Sequence, residues 1–314
     1  MLGLVLKVRS RARRAIVTSL SIVRRPRSHH KVRVYLYGGH SDDWTRALSL
    51  FGPVWALMPR VFFTDMVLER DRQRLLRAPP FAGRTVVLPL LERHVRTLPR
   101  LHEALVPSIE AIDTLSDKLA FDAYARDHGL ALMVPRQFEL GRPEFPAVLK
   151  RADLNGGNGI ELARNENELN EQLSRDPWQG QRVMLSEFIP GSTDYVTHMV
   201  LKNGQPIWST SYMSRLSPGQ HIQRQRNVEQ RGPYAPSHQL LHQLVSFLIP
   251  LGYSGPVAFD YRIDAQGQLK VLEINPRLGG SLMRPENVHD LRAALDAIIE
   301  NADPLAFESR CLDQ

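Results

Sequence analysis

The chain has 314 residues, 43% of them hydrophobic and 23% charged, which excludes a fibrous or wholly disordered architecture and leaves room for about two domains. Cys311 is the single cysteine, so neither an intramolecular disulfide framework nor a zinc site of several thiolates can form, and the chemistry must use oxygen and nitrogen. The formal net charge of +7 sits at one end: Lys7, Arg9, Arg11, Arg13, Arg14, Arg24, Arg25, Arg27 and Lys31 lie in the first 31 residues with no acid, leaving 31 of the 40 bases to face all 33 acids. The body of the chain is therefore slightly acidic, which argues against nucleic acid as a partner.

Arginines interrupt every apolar run of the leader before it reaches signal-peptide length. No run of about 20 apolar residues occurs elsewhere, so a cytoplasmic protein is expected. Leu2, Leu4, Val5, Val8, Ile16, Val17, Leu20 and Val23 could line a basic amphipathic helix resting on an anionic membrane or a partner. A solvated leader, or a start codon placed too early, is the plainer explanation of the same residues.

Val32, Val34 and Leu36 alternate with Arg33, Tyr35 and Tyr37 and run into Gly38-Gly39, the pattern of a strand entering a tight turn. Ser41–Leu50 then reads as a helix whose Ser41, Asp42 and Asp43 can accept the free backbone N–H groups of its first turn. Further strands at Val54–Met58, Val61–Phe63 and Thr85–Leu90 predict an open parallel sheet, a small Rossmann-like domain over residues 31–110. A second unit, 111–190, opens where Ser116-Asp117 can cap a helix that runs to His128 and stops at Gly129. It continues through strands Ala147–Lys150 and Val183–Phe188, which enclose the Gly-rich stretch Asn155-Gly156-Gly157-Asn158-Gly159 and a polar helix over Asn165–Ser174. From 191 to 314 the pattern gives strands Tyr195–Leu201 and Ile207–Tyr212, a helix His238–Ile249 and a final hairpin. The fold class predicted is α/β.

That hairpin carries the clearest geometric signal. Strands Val257–Ile263 and Leu269–Ile274 flank a turn containing Gly267. With 265–268 as the loop, Asp264 lies opposite Leu269 and Asp260 faces Glu273, while Asn275 projects from the side of Glu273. Two opposed carboxylates and an amide oxygen repel one another without a cation, and hard oxygen ligands favour Mg²⁺ over zinc. A solvent-facing polar edge accounts for these three residues as well, but Arg277 and the turn Leu278-Gly279-Gly280-Ser281 beside them suit an anionic substrate.

Two weaker signals accompany it. The Gly-rich stretch follows Lys150 by a few residues, and such a loop can bring backbone N–H groups up to phosphate oxygens; it lacks the Gly-Lys-Ser/Thr of a Walker motif, and a flexible turn explains it too. Glu187-Phe188-Ile189-Pro190-Gly191, with Asp194 beyond, can offer a backbone edge to a purine and a carboxylate to a ribose, or can simply end a strand.

In this order, Asp117-Lys118, Lys150, the glycine loop, Glu187 to Gly191, Asp260 and Glu273-Ile274-Asn275-Pro276-Arg277, the chain resembles the ATP-grasp superfamily over roughly residues 110–290. The resemblance implies a two-lobed α+β fold, a small lobe over 111–190 and a large one over 191–314, binding ATP with Mg²⁺ or Mn²⁺. It implies that Lys118 and Lys150 hold the phosphates under a loop of Gly156, Gly157 and Gly159, and that Glu187, Phe188 and Ile189 form the adenine hinge with Asp194 at the ribose. Asp260, Glu273 and Asn275 match the metal ligands, and Arg277 the arginine that steadies the transferred phosphoryl group. Asp260 stands where many relatives carry Glu.

The activity implied is phosphorylation of a carboxylate by ATP and attack of an amine on the acyl phosphate, with the relatives often dimeric. Gly38-Gly39-His40-Ser41-Asp42-Asp43 is similar to the substrate turn of D-alanine–D-alanine ligases, which puts Asp43 near a substrate ammonium, while Arg277 to Ser281 is more like L-amino-acid ligases and marks Gly280 and Ser281. A simple helix N-terminal carboxylate also explains Asp43. Arg215, Arg224 and Arg226 could line the anionic site or sit in a solvated loop. A carboxylase-like or kinase-like acceptor, or a nucleotide-binding protein without catalysis, would use the same nucleotide residues.

Overall fold

The computed structural model describes residues 31–77, 81–99, 102–151 and 159–305; the leader, Gly156, Gly157 and Cys311 lie outside the described residues. β1 (Val32–Tyr37) pairs in parallel with β2 (Val61–Phe63) and with β3 (Arg84–Pro89), and β3 in parallel with β4 (Glu103–Ala104). These four strands are parallel as expected, with their apolar residues buried, but Asp303–Pro304 adds antiparallel to β4, so the sheet is mixed at that edge. The expectation of a strand at Val54–Met58 is wrong: Pro53–Leu57 is a short helix with proline at its start, where the fixed φ suits the first helical turn and no N–H is needed. The run was apolar because Val54 is fully buried, not because it was extended. Helix Asp42–Leu48 begins after Ser41, but Ser41 does not cap it; its hydroxyl donates to Asp43 Oδ1 at 2.6 Å.

The next unit is a four-stranded antiparallel sheet in the order β5 (Gln137–Phe138), β8 (Val183–Glu187), β6 (Ala147–Arg151), β7 (Ile160–Ala163). Helix Glu166–Ser174 packs on it, capped by Asn165. Asp117 caps helix Lys118–Asp127 by accepting from the N–H groups of Leu119 and Ala120, and Gly129 ends the segment at φ +71°.

The largest sheet is antiparallel in the order β11 (Val228–Pro233), β10 (Gln205–Leu216), β9 (Thr193–Lys202), β12 (Gly255–Ile263), β13 (Leu269–Asn275). One face, with Met199, Val257, Phe259, Tyr261, Val271 and Ile274, packs in a single core with residues of helices Ile109–Ser116, Lys118–Asp127 and His238–Ser246. Alternation puts Asp194, His198, Tyr212, Asp260, Arg262, Glu273 and Asn275 on the other face. Part of that face is covered by the turn Gly280–Met283 and helix Val288–Glu300, in a core shared with β1 and β3. The parallel sheet therefore packs beside the polar face of the large one. Among the described residues no helix is long and apolar enough to cross a membrane.

Candidate functional site

Asp260 pairs with Glu273 across the last hairpin, and Ala258 with Asn275, as the sequence predicts. The route to that register differs from the one expected. Asp264 does not face Leu269; its Oδ1 accepts from the N–H groups of Gln266 and Gln268, which draws it into the turn and leaves Ile263 opposite Leu269. A β-bulge between Asp260 and Tyr261 then takes up one extra residue, Leu272, on the partner strand. The two offsets cancel at the carboxylates.

Burial first, and then the facing Glu273, push the Asp260 pKa up to about 7. Lys150 projects from β6, 8% exposed, in a cleft also lined by Lys118, Phe121, Met184 and Glu273. Burial lowers its pKa to about 8; Lys118 and Arg262 push the same way, while Glu273 pulls it back up. The cleft thus gathers two lysines and two carboxylates, Glu273 and Asp122, the latter paired with Arg126, from segments far apart in the chain.

Asn275 is oriented differently from the expectation. Its Nδ2 donates to Asp260 Oδ2 at 3.1 Å, and its Oδ1 accepts from Arg277 at 3.0 Å, so the amide nitrogen faces the carboxylate. Arg277 also pairs with Glu92 at 2.9 Å, a contact from the parallel-sheet unit that no local pattern announced.

At the end of β8, the N–H of Glu187 donates to the carbonyl of Arg136 at 2.7 Å, and Phe188 meets His221 edge-on. Ile189 is buried, and its carbonyl accepts from Arg262 Nη1 at 2.7 Å. Arg262, 5% exposed, also grips Asp194 Oδ1 at 2.5 Å and the His221 carbonyl at 2.6 Å. One oxygen of the carboxylate expected at a ribose is therefore held by an arginine. Period-two alternation from Asp260 puts Arg262 on this face, a signal the sequence did contain. Gly159, at φ +63°, accepts from the N–H of Arg151 at the mouth of the β6–β7 hairpin. Arg215, Arg224 and Arg226 are exposed, and Arg224 donates to the Ile160 carbonyl.

The positions expected at the substrate lie where the two units meet. His40 stacks on Trp44 at 4.0 Å, Asp43 is held by Ser41, and Arg277 lies close enough to lower the His40 pKa, an effect secondary to burial. Ser281 Oγ lies 2.6 Å from Nε2 of His198, which is 1% exposed. Burial, then Arg277 and Arg284, lower the His198 pKa to about 3, so the imidazole is neutral. A Cβ on Gly279 would come within 2.3 Å of that ring, so only glycine lets the turn lie down on it.

No protein-family model and no curated protein matches the sequence. Solved structures do match. D-alanine–D-alanine ligase from Bacillus anthracis superposes with a TM-score of 0.56 at 13% identity, covering 87% of this chain and 97% of that one. L-amino acid ligase from Bacillus licheniformis gives 0.56 at 15% identity over 88% and 78% of the two chains. Biotin carboxylase from Campylobacter jejuni gives 0.58 at 12% identity over 87% and 73%.

Proposed function

We propose that this chain, whose mixed α/β fold is that of the ATP-grasp superfamily, is an ATP-dependent ligase that activates a carboxylate as an acyl phosphate and joins it to the amine of an amino acid or peptide-like substrate. The observation that carries this proposal is the Asp260–Glu273 pair, with Glu273 in one cleft with Lys118 and Lys150. Support also comes from the B. anthracis ligase, solved in complex with ATP as well.

The donor set fits a hard divalent cation. Two facing acids, one of them holding its proton up to about pH 7, are the charge arrangement that such a cation relieves. Among the described residues no three His, Cys, Asp or Glu side chains gather as a metal cluster, so Asp260 and Glu273, with Asn275 if its amide turns over, would share Mg²⁺ or Mn²⁺ with phosphate oxygens. Bound there, the cation would neutralise charge on the transferring phosphoryl group.

The chain's own residues then divide the work. Lys118 and Lys150 offset phosphate charge, and Gly156, Gly157 and Gly159 supply backbone N–H groups to the phosphates. The Glu187 to Ile189 segment offers its backbone edge to the purine, and the second oxygen of Asp194 faces the ribose. The substrate carboxylate attacks the γ-phosphorus as the bond to the ADP oxygen breaks, and Arg277, held by Glu92 and Asn275, stabilises the charge that accumulates. The amine nitrogen then attacks the acyl carbon, phosphate leaves, and a proton passes from nitrogen to solvent. Asp43, Gly280 and Ser281 bound the space for these substrates.

Incubation with MgATP and pools of amino acids, short peptides and organic acids, scored together for ADP and product mass, tests this. An amide product equal to the two substrates less water is expected. ADP formation that needs bicarbonate and no amine would replace the ligase assignment with a carboxylase-like one, and full ligation by Glu273→Ala would remove the metal assignment.

A further inference from the structure

Strand alternation separates the two faces of the four-stranded antiparallel sheet. Ala147, Leu149, Leu185 and Phe138 pack on one of them, in a core with Leu169 and Trp178. Gln137, Val148, Lys150, Met184 and Ser186 therefore stand on the other, and Gln137, Met184 and Lys150 line the cleft that also holds Lys118, Leu272 and Glu273. Across that wall Gln137 on β5 pairs with Ser186 on β8, and Ser186 with Val148 on β6, while Lys150 pairs with Met184 two residues along. Facing Cβ atoms in such pairs are about 5 Å apart, so the Gln137 carboxamide and the Ser186 hydroxyl lie side by side on the wall.

Both groups carry a buried oxygen without a partner. Among the described residues Gln137 Oε1 and Ser186 Oγ make no hydrogen bond, and Ser186 is 0% exposed. Glu187, the next residue, is turned to the other side by alternation, where its Oε2 accepts from the N–H of Arg136 at 3.1 Å. Buried oxygens left unbonded destabilise the free chain, and a ligand that supplies the missing bonds removes that cost. The amide oxygen only accepts, so it calls for an N–H group, whereas the hydroxyl can donate to a ring nitrogen beside it. Adenine presents that combination on one edge, its 6-amino group next to N7; guanine and hypoxanthine present O6 there, an acceptor against an acceptor.

We propose that Gln137 and Ser186 select the base of the bound nucleotide, Gln137 Oε1 accepting from the 6-amino group of adenine and Ser186 Oγ donating to its N7, which makes the cleft selective for ATP over 6-oxopurine nucleotides. The amino group carries two hydrogens, so one serves Gln137 while the other meets the Glu187 to Ile189 backbone, which begins at the residue after Ser186. This deepens the ATP assignment and rests on it. The same two oxygens burden the free chain, so removing either one stabilises the protein while weakening nucleotide binding, the opposite of what a purely structural role would give.

The test is calorimetric titration of the full chain with the Mg²⁺ complexes of ATP, ITP, purine riboside triphosphate, which lacks the 6-amino group, and inorganic tripolyphosphate, beside thermal melts of the free protein. ATP binds about tenfold or more tightly than ITP and purine riboside triphosphate. Gln137→Met keeps the side-chain length, removes the acceptor and cuts that preference to about threefold or less. Ser186→Ala weakens ATP, leaves tripolyphosphate unchanged and melts no lower than wild type. Equal affinity of the wild type for ATP and purine riboside triphosphate, an undiminished preference in Gln137→Met, or a lower melting point with unchanged ATP affinity in Ser186→Ala overturns the base assignment. Tripolyphosphate binding with no gain from the base overturns it too and leaves the phosphate site standing, whereas no binding of tripolyphosphate or of any nucleotide overturns the ATP assignment as well.

Discussion

Asp260→Asn isolates the electrostatics of the carboxylate pair without any substrate. In the folded chain burial and Glu273 raise the Asp260 pKa from 3.8 to about 7; unfolding returns it to the ordinary value of about 3.9. Between those limits the unfolded chain has released the proton and the folded chain keeps it, so stability falls as pH rises. The contribution is whole below about pH 4 and gone above about pH 7. At 1.36 kcal/mol per pKa unit the loss is about 4 kcal/mol, an upper figure because Asp260 is only partly shielded from water. Asparagine keeps an oxygen to accept from Asn275 and removes the charge. Urea unfolding with metals chelated should give coincident stabilities at pH 4, and by pH 8.5 the variant should be ahead by about 4 kcal/mol, a Tm rise on the order of 8 °C. The same variant should lose metal-dependent nucleotide affinity. Parallel pH profiles, or a variant less stable than wild type at pH 8.5, would refute the assignment of Asp260 as a carboxylate held against its charge.

Nucleotide affinity should rise with pH through about 7, as Asp260 loses its proton, and fall through about 8, as Lys150 loses its own. Because Glu273 raises both pKa values, Glu273→Gln should move both limbs to lower pH, measured with a fluorescent ATP analogue; limbs moving in opposite directions would contradict the shared cause. Arg262→Met leaves Asp194 buried without its cation and should destabilise by about 3–5 kcal/mol, checked by denaturant midpoint. Gly279→Ala drives a methyl group into His198 and should lower stability by about 1–3 kcal/mol, with Gly280→Ala, whose Cβ has 3.9 Å to its nearest neighbour, as the mild control.

What the sequence disclosed was local in the chain. The facing of Asp260 and Glu273 follows from a single hairpin, because strand alternation and a short turn fix it within about fifteen residues. Even there, the turn end was displaced by one residue and the bulge at Leu272 restored the register, two opposing departures that no alternation pattern displays. Val54–Met58 misled for the opposite reason: an apolar run of that length fits a buried strand or a buried helix equally, and Pro53 was the arbiter.

The partners that give the site its charge come instead from remote segments. Glu92 reaches Arg277 from the helix that follows β3, Arg262 ties the Ile189 carbonyl to Asp194, and His198 meets Ser281 across 83 residues of chain. Each contact depends on the order of strands in the large sheet, where the fold places β9 between β10 and β12 and so sets Arg231 on the face of Asp260. Strand order is a property of the whole packed sheet, not of any stretch within it. A facing pair of acids can therefore be recognised from one hairpin, whereas the contacts that join β9 to the turn after β13, and Arg277 to the parallel-sheet unit, become visible only when the sheet is assembled.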